Sequence, residues 1–276
     1  MTTPARMLRD AIEAFHGVCY FSAEHRRPYV EERGLHPWAA YFAQRAAPMG
    51  RVGPETVAAV FYFFSPDLVA RSIPSVWELV TPEEAVRLRL EATRELFGRL
   101  FAEPPDGIDE AVDLAGRAVE ALEPSGRPLA AAHAAVSRVD DRLTELWRLL
   151  SVLREARGDG HVATLVSEGV GPVEALLLSA GHTEFPVEEF RKRRGWSEEA
   201  WNAGRDRAVA RGWLQPDGAR TEEGERFRTE LEEATDRTMS WMLDAVGPAG
   251  VVRLAELVQP LSTRVVSSGA LGWARG

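Results

Sequence analysis

The sequence predicts an all-α protein with a small β-wing, built from two related halves, and three observations predict it. Proline repeatedly follows a residue able to cap a helix, at Thr3-Pro4, Gly53-Pro54, Ser65-Pro66, Thr81-Pro82 and Gly171-Pro172. Proline at a first helical position loses nothing, because its missing N–H would be unpaired there anyway. Between these marks apolar residues recur with helical spacing, and alternating strand patterns are nearly absent. The phrase Val52-Gly53-Pro54 also returns as Val170-Gly171-Pro172, each opening an apolar helix.

Taken in order, Thr3-Pro4 opens a helix that carries His16, Tyr20 and Glu24 at i, i+4 and i+8 on one face. Tyr41 and Arg45 form a further i, i+4 pair, and Tyr62 lies on the apolar helix opened by Pro54. Ser65-Pro66 opens a short helix. Thr81 with Glu84 three residues on forms a capping box for a long one. Glu103 to Gly107 and Glu123 to Pro128 read as loops. Leu143, Leu146, Trp147, Leu150 and Leu153 form a single stripe, which Gly158 closes. Asp159 is then placed to cap a short helix near His161. Glycines 181, 195 and 212 close later segments in the same way.

A helix from Pro186 to Arg194, a Gly195-Trp196 turn and a helix capped by Ser197 running to Arg211 follow. Trp213-Leu214 and Ala219-Arg220 flank the tight turn Pro216-Asp217-Gly218, the wing of the expected fold. Thr221 caps a long helix to about Leu243. The order helix, turn, helix, hairpin, long helix is that of a winged DNA-binding module. Repeated marks elsewhere keep the same order, and their offset goes from 118 at Val52/Val170 to 120 at Pro66/Pro186 and then to 140 at Thr81/Thr221. This divides the chain into a degenerate winged-helix-like half, residues 1–136, and a winged helix-turn-helix half, residues 137–276. The corresponding stretch of the first half, Ile73 to Val80, is too short for a recognition helix and wing. The expected arrangement is a single-chain pseudo-dimer with one reading head.

Composition excludes several chemistries. The 276 residues include one cysteine, Cys19, one lysine, Lys192, and one asparagine, Asn202. There is therefore no internal disulfide, no cysteine-rich zinc site, and no Gly-Lys-Ser/Thr phosphate loop. The six histidines are scattered singly, so no metal or cofactor is expected. Gly158-x-Gly160-x-x-Ala163 follows a helix and not a strand, which removes it as a dinucleotide motif. No nucleophile elbow is present. No enzymatic motif emerges, which points away from an enzyme while an unrecognised one stays among the readings. With no signal peptide and no apolar run long enough for a membrane span, the expected location is the cytoplasm. The net charge of −9 disfavours a polyanionic partner unless a local basic patch exists.

Such a patch falls between Pro186 and Thr221, with eight basic and six acidic residues. The candidate DNA-contacting residues are Arg191, Lys192, Arg193 and Arg194 for phosphates, Trp201, Asn202 and Arg205 on the second helix, and Arg220 at the wing. Glu198 and Glu199 in the first turn of that helix oppose phosphates, although they also complement the helix dipole.

The steps Arg211-Gly212-Trp213-Leu214 and Asp217-Gly218-Ala219-Arg220-Thr221-Glu222-Glu223-Gly224 resemble the wing of MarR-type regulators. With Tyr41 to Gly50, Phe61-Tyr62, Leu153 to His161 and Gly195 to Glu199, they make the chain similar to an actinobacterial family of tandem, MarR-like helix-turn-helix proteins. The resemblance implies a ligand-responsive transcriptional regulator of double-stranded DNA. It also implies a crevice for a small anionic or aromatic ligand. The candidate ligand residues are His16, Tyr20, Glu24, Tyr41, Arg45, Tyr62, Arg154, Arg157, Asp159 and His161, each of which also has a purely structural explanation. Two other readings stand beside the regulator. One is a small-molecule-binding protein or enzyme that kept the scaffold and lost DNA binding; the other is an interaction module. The sequence does not fix the oligomeric state.

Overall fold

A computed structural model describes residues 2–180 and 187–271. In chain order its helices are α1 (Pro4–Phe21), α2 (Ala23–Arg26), α3 (Pro37–Ala46), α4 (Pro54–Val60), α5 (Pro66–Ala70), α6 (Pro82–Leu100) and α7 (Ile108–Glu120). They continue with α8 (Pro128–Ala134), α9 (Arg142–Ser167), α10 (Pro172–Ala180), α11 (Val187–Arg193), α12 (Glu198–Ala210), α13 (Glu222–Arg237) and α14 (Ser240–Ser267). A π-turn follows α2, and short 3₁₀ turns at Ala47–Met49 and Ser75–Glu78 link the rest.

The start signals work as their chemistry requires. Thr3, Ser65, Thr81, Asp141, Ser197 and Thr221 each accept a hydrogen bond from a backbone N–H in the first turn of their helix. This satisfies donors that have no partner within the helix. Pro82 sits behind the Thr81 cap, whose hydroxyl accepts from Glu84 N–H at 3.2 Å.

Three apolar clusters hold these helices. The largest draws Phe15 and Val18 from α1, Leu96 and Phe97 from α6, Val112 from α7, Trp147 and Leu150 from α9, and Leu254 and Val258 from α14. Phe15 and Phe97 stack with ring centroids 4.6 Å apart. The chain's early and late helices thus share one core. Its α1–α14 seam is fastened by Ser262, whose backbone-spanning hydroxyl accepts from Phe15 N–H and donates to the Ala11 carbonyl. A second cluster gathers Tyr29, Phe42, Val57, Phe61, Ile73 and Trp77. A third joins α10, α12 and α13 through Leu176, Trp201, Ala208, Trp213 and Leu231.

The expected β-wing is not formed: among the described residues there is no strand. Residues 213–221 make a turn closed by one isolated bridge, Leu214 with Arg220. The arms are two residues each, and their side chains are engaged elsewhere. Trp213 stacks on Phe227 of α13 at 4.3 Å, while Arg220 donates to the Leu178 carbonyl and to Glu225. A ladder that short has nothing to propagate into. With no wing, the described residues are all-helical, which corrects the expected small β-wing and with it the expected pseudo-dimer of winged, MarR-like halves.

A second correction concerns α9. It runs unbroken through Gly158, which was expected to end it. Gly160 has a packing reason: the Thr238 side chain occupies the place a Cβ would take. Asp159 caps no following helix. Its carboxylate instead accepts from Ala130 N–H at the start of α8, 2.9 Å away. The long helix expected from Thr221 to about Leu243 stops at Arg237, and α14 is itself broken at Gly247, φ 73°, ahead of Pro248. The expected helix start at Pro186, the stop at Gly181 and His182 lie outside the described residues. No single described helix is long and apolar enough to cross a membrane.

Candidate functional site

A cavity of about 530 Å³ opens between α1, α3, the α4–α5 turn, α9, the end of α11 and the α13–α14 junction. That volume lies in the ordinary range for small-molecule sites. Its walls are apolar and aromatic (Leu8, Ile12, Phe61, Phe63, Phe64, Leu153, Met239, Met242), and into them project five arginines against one lining carboxylate, Glu13.

The five arginines differ in how they are held. Arg45, on α3, makes a bidentate bond to Glu155 on α9 at 2.9 and 2.7 Å, and its guanidinium lies 4.4 Å from the centre of the Phe61 ring. Burial alone would raise the Glu155 carboxyl. The Arg45 charge and its two hydrogen bonds outweigh that and hold it far below the usual carboxylate range. Arg157 is tied to Glu232 and Asp236 of α13 at 2.7 and 3.0 Å. Arg9 lies 3.1 Å from Asp10 and 3.8 Å from Glu232. The other two have weaker commitments. Arg154 reaches Glu13 and Glu155 only at 3.8 Å. Arg194 has no carboxylate or hydrogen-bond partner for its guanidinium among the described residues. It rests over the Phe64 ring at 4.4 Å and near Phe190 at 5.4 Å. Burial first, and then the nearby Arg45, Arg154 and Arg193, push its pKa below the ordinary arginine value, with Tyr41 opposing.

Five of the ten sequence-derived ligand residues line this cavity: Tyr41, Arg45, Arg154, Arg157 and His161. His16 and Tyr20 stand behind Tyr41. The His16 and Tyr20 rings are 5.3 Å apart, Tyr20 and Tyr41 are 5.2 Å apart, and His16 Nδ1 is 3.0 Å from the Ser151 hydroxyl. Three others lie elsewhere. Glu24 pairs with Arg99 at 2.7 Å, Tyr62 donates to the Val170 carbonyl, and Asp159 holds α8. Arg9, Glu13 and Arg194 also line it. The signal for the first two was available: Arg9, Glu13, His16 and Tyr20 are one i, i+4, i+7, i+11 stripe. The face runs back from His16 to Arg9 and not forward to Glu24, because α1 ends at Phe21 and Glu24 belongs to α2.

A pair of helices joined by a tight turn, α11 and α12, lies beside the cavity. Its turn is docked on the cavity wall: the Arg194 carbonyl accepts from Ser65 N–H at 2.9 Å, and Trp196 Nε1–H donates to the Phe63 carbonyl at 3.1 Å. Of the residues proposed for DNA, Lys192 is exposed at 62 % and only 3.8 Å from Glu188, and Asn202 and Arg205 are half-buried. Arg191 is bonded to Glu188 and to the Trp196 carbonyl, and Arg193 to Glu189. Trp201 is 6 % exposed and belongs to the third core cluster, Arg220 is tied down as described, and Arg194 faces the cavity. Glu198 and Glu199 are exposed.

A family model described as a helix-turn-helix family matches residues 5–272. No curated protein and no solved structure matches the chain.

Proposed function

The chain belongs to this helix-turn-helix family, and on that premise we propose that it is a DNA-binding transcriptional regulator that engages duplex DNA through residues 187–210. The observation that carries the proposal is the family match across nearly the whole chain, together with a helix–turn–helix pair on which Lys192 is exposed and Arg205 partly exposed, each only loosely paired with a carboxylate, at 3.8 and 3.9 Å. Phosphate contacts release counterions, so affinity must fall steeply with salt. In fluorescence anisotropy with mixed-sequence duplexes, binding at 50 mM salt should weaken sharply by 200 mM. Lys192→Ala and Arg205→Ala should each reduce the log–log salt slope by about one. Binding that ignores salt, or none at 50 mM, would remove the regulator reading.

A second reading is supported by the local charge. Arg191, Arg193 and Arg207 are each paired with a glutamate, while Glu198, Glu199 and Asp206 are exposed. That surface is poor for a polyanion, and beside it lies a cavity of ligand size. On this reading the chain binds a small anionic or aromatic molecule and has kept the helix-turn-helix as architecture, since a fold does not by itself establish an activity. The same titration separates the two.

A further inference from the structure

We propose that the cavity takes a single small organic anion with an aromatic or similarly apolar body, that Arg154 and Arg194 bind its acid group, and that the contact is transmitted through Arg194 to the turn of the helix-turn-helix. This rests on the reading of the cavity as a ligand site and adds to it the ligand's chemistry, the two binding residues and a path of coupling.

The division of labour among the arginines carries the chemistry. Arg157 gives one nitrogen, Nη2, to both Glu232 and Asp236 while its buried Nε has no partner among the described residues, and Arg45 is fully engaged by two parallel bonds to Glu155. Arg154 and Arg194 are held more weakly than either: one only at 3.8 Å by its carboxylates, the other only by aromatic faces. A guanidinium presents several donors in a rigid fork suited to a carboxylate or similar acid group. Two such forks, half withdrawn from water and directed into a space walled by Phe61, Phe63 and Phe64, provide for an anionic head and a ring-bearing body at once. A ring face holds a cation only modestly. A charge-assisted pair with an incoming acid competes with that readily, so the ligand's arrival repositions Arg194.

The coupling follows from what Arg194 is joined to. Its own carbonyl accepts from Ser65 N–H, and two residues later the Trp196 indole donates to the Phe63 carbonyl. Between them Gly195, φ +74°, lies so close to Leu68 and Ser65 that a Cβ there would stand 2.6 Å from Leu68 Cβ. The wall of the cavity and the turn between α11 and α12 are therefore one packed unit. A ligand that moves Arg194 or Phe64 must alter the helix-turn-helix, and by linkage anything bound to the helix-turn-helix must alter ligand affinity by the same factor.

Isothermal titration of the full chain with 2-naphthoate and with its neutral analogue 2-naphthamide tests this without DNA. The acid should bind at least tenfold more tightly than the amide. Arg154→Gln and Arg194→Met should each weaken the acid by about tenfold and leave the amide unchanged. Hydrogen exchange should change on adding naphthoate in peptides covering 61–65 and 190–197, and the change in 190–197 should vanish in R194M. Equal binding of acid and amide, no binding of the acid at millimolar concentration, or an unaltered acid affinity in both variants would overturn the anion assignment. Ligand binding with no exchange change at 190–197 would overturn the coupling. A failure of duplex binding would remove the regulator and leave each of these outcomes decisive for the cavity.

Discussion

Glu155 is fully buried and tolerable only because Arg45 answers it. Removing one member of such a pair leaves an uncompensated charge in a low-dielectric interior, which costs about 3–5 kcal/mol, whereas replacing both by apolar groups costs far less. Urea denaturation should therefore find Glu155→Gln destabilised on that scale, and Arg45→Met with Glu155→Leu restored by at least half. Burial also governs the histidines. It drives His25 and His133 down to about 3, against 6.5 in an unfolded chain. Between those values the unfolded chain binds protons that the folded one refuses, so stability present above pH 6.5 is lost as pH falls. From pH 7 to 5 each histidine accounts for about 2 kcal/mol of that loss. Asp159 acts oppositely. Burial raises it to about 6, so it takes its proton earlier when folded and returns about 1 kcal/mol over the same interval. Urea midpoints at pH 7 and 5 should show the net fall, and His133→Gln should shrink it by about 2 kcal/mol; an unchanged pH slope would contradict this account.

Among the elements, the turn between α11 and α12 is the most constrained. Gly195 adopts a left-handed conformation and leaves no room for a Cβ against Leu68 and Ser65. Gly195→Ala carries about 1–2 kcal/mol from the backbone alone, with the steric overlap added. The expected result is a lowered thermal midpoint and a detached helix-turn-helix, seen as faster hydrogen exchange in 187–210; wild-type exchange there would contradict the docking. This scale also shows what the sequence disclosed. Helix starts were legible because a cap and a following proline are local chemistry, as at Thr81 and Ser65. Ends read from glycine were less so. Gly195 and Gly212 do adopt positive φ, but Gly158 and Gly160 lie inside α9, the latter because Thr238, nearly eighty positions away, fills the space above it. Half the ligand residues were legible because the helical period groups them on faces. Arg194 was read as a phosphate contact because its neighbours are basic, and nothing local reveals that the Phe63–Ser65 turn claims it. The wing failed for a different reason: the turn residues were right and Leu214 does pair with Arg220, but α13 starts directly after Thr221 and leaves the arms too short to become strands.

At the scale of the molecule, the main core is closed by α14 lying against α1, with Ser262 bonded to Phe15 and Ala11 across more than 240 residues of chain. During synthesis at roughly 5–20 residues per second, Leu8, Ile12 and Phe15 emerge many seconds before the surface that covers them exists. The nascent chain therefore carries α1 without its α14 cover for nearly its whole time on the ribosome. Chaperone occupancy, rather than the stability of the finished fold, should set how much of the protein a cell recovers. Mutations in Leu254, Val258 or Leu261 should accordingly lower yield further than they lower the melting temperature.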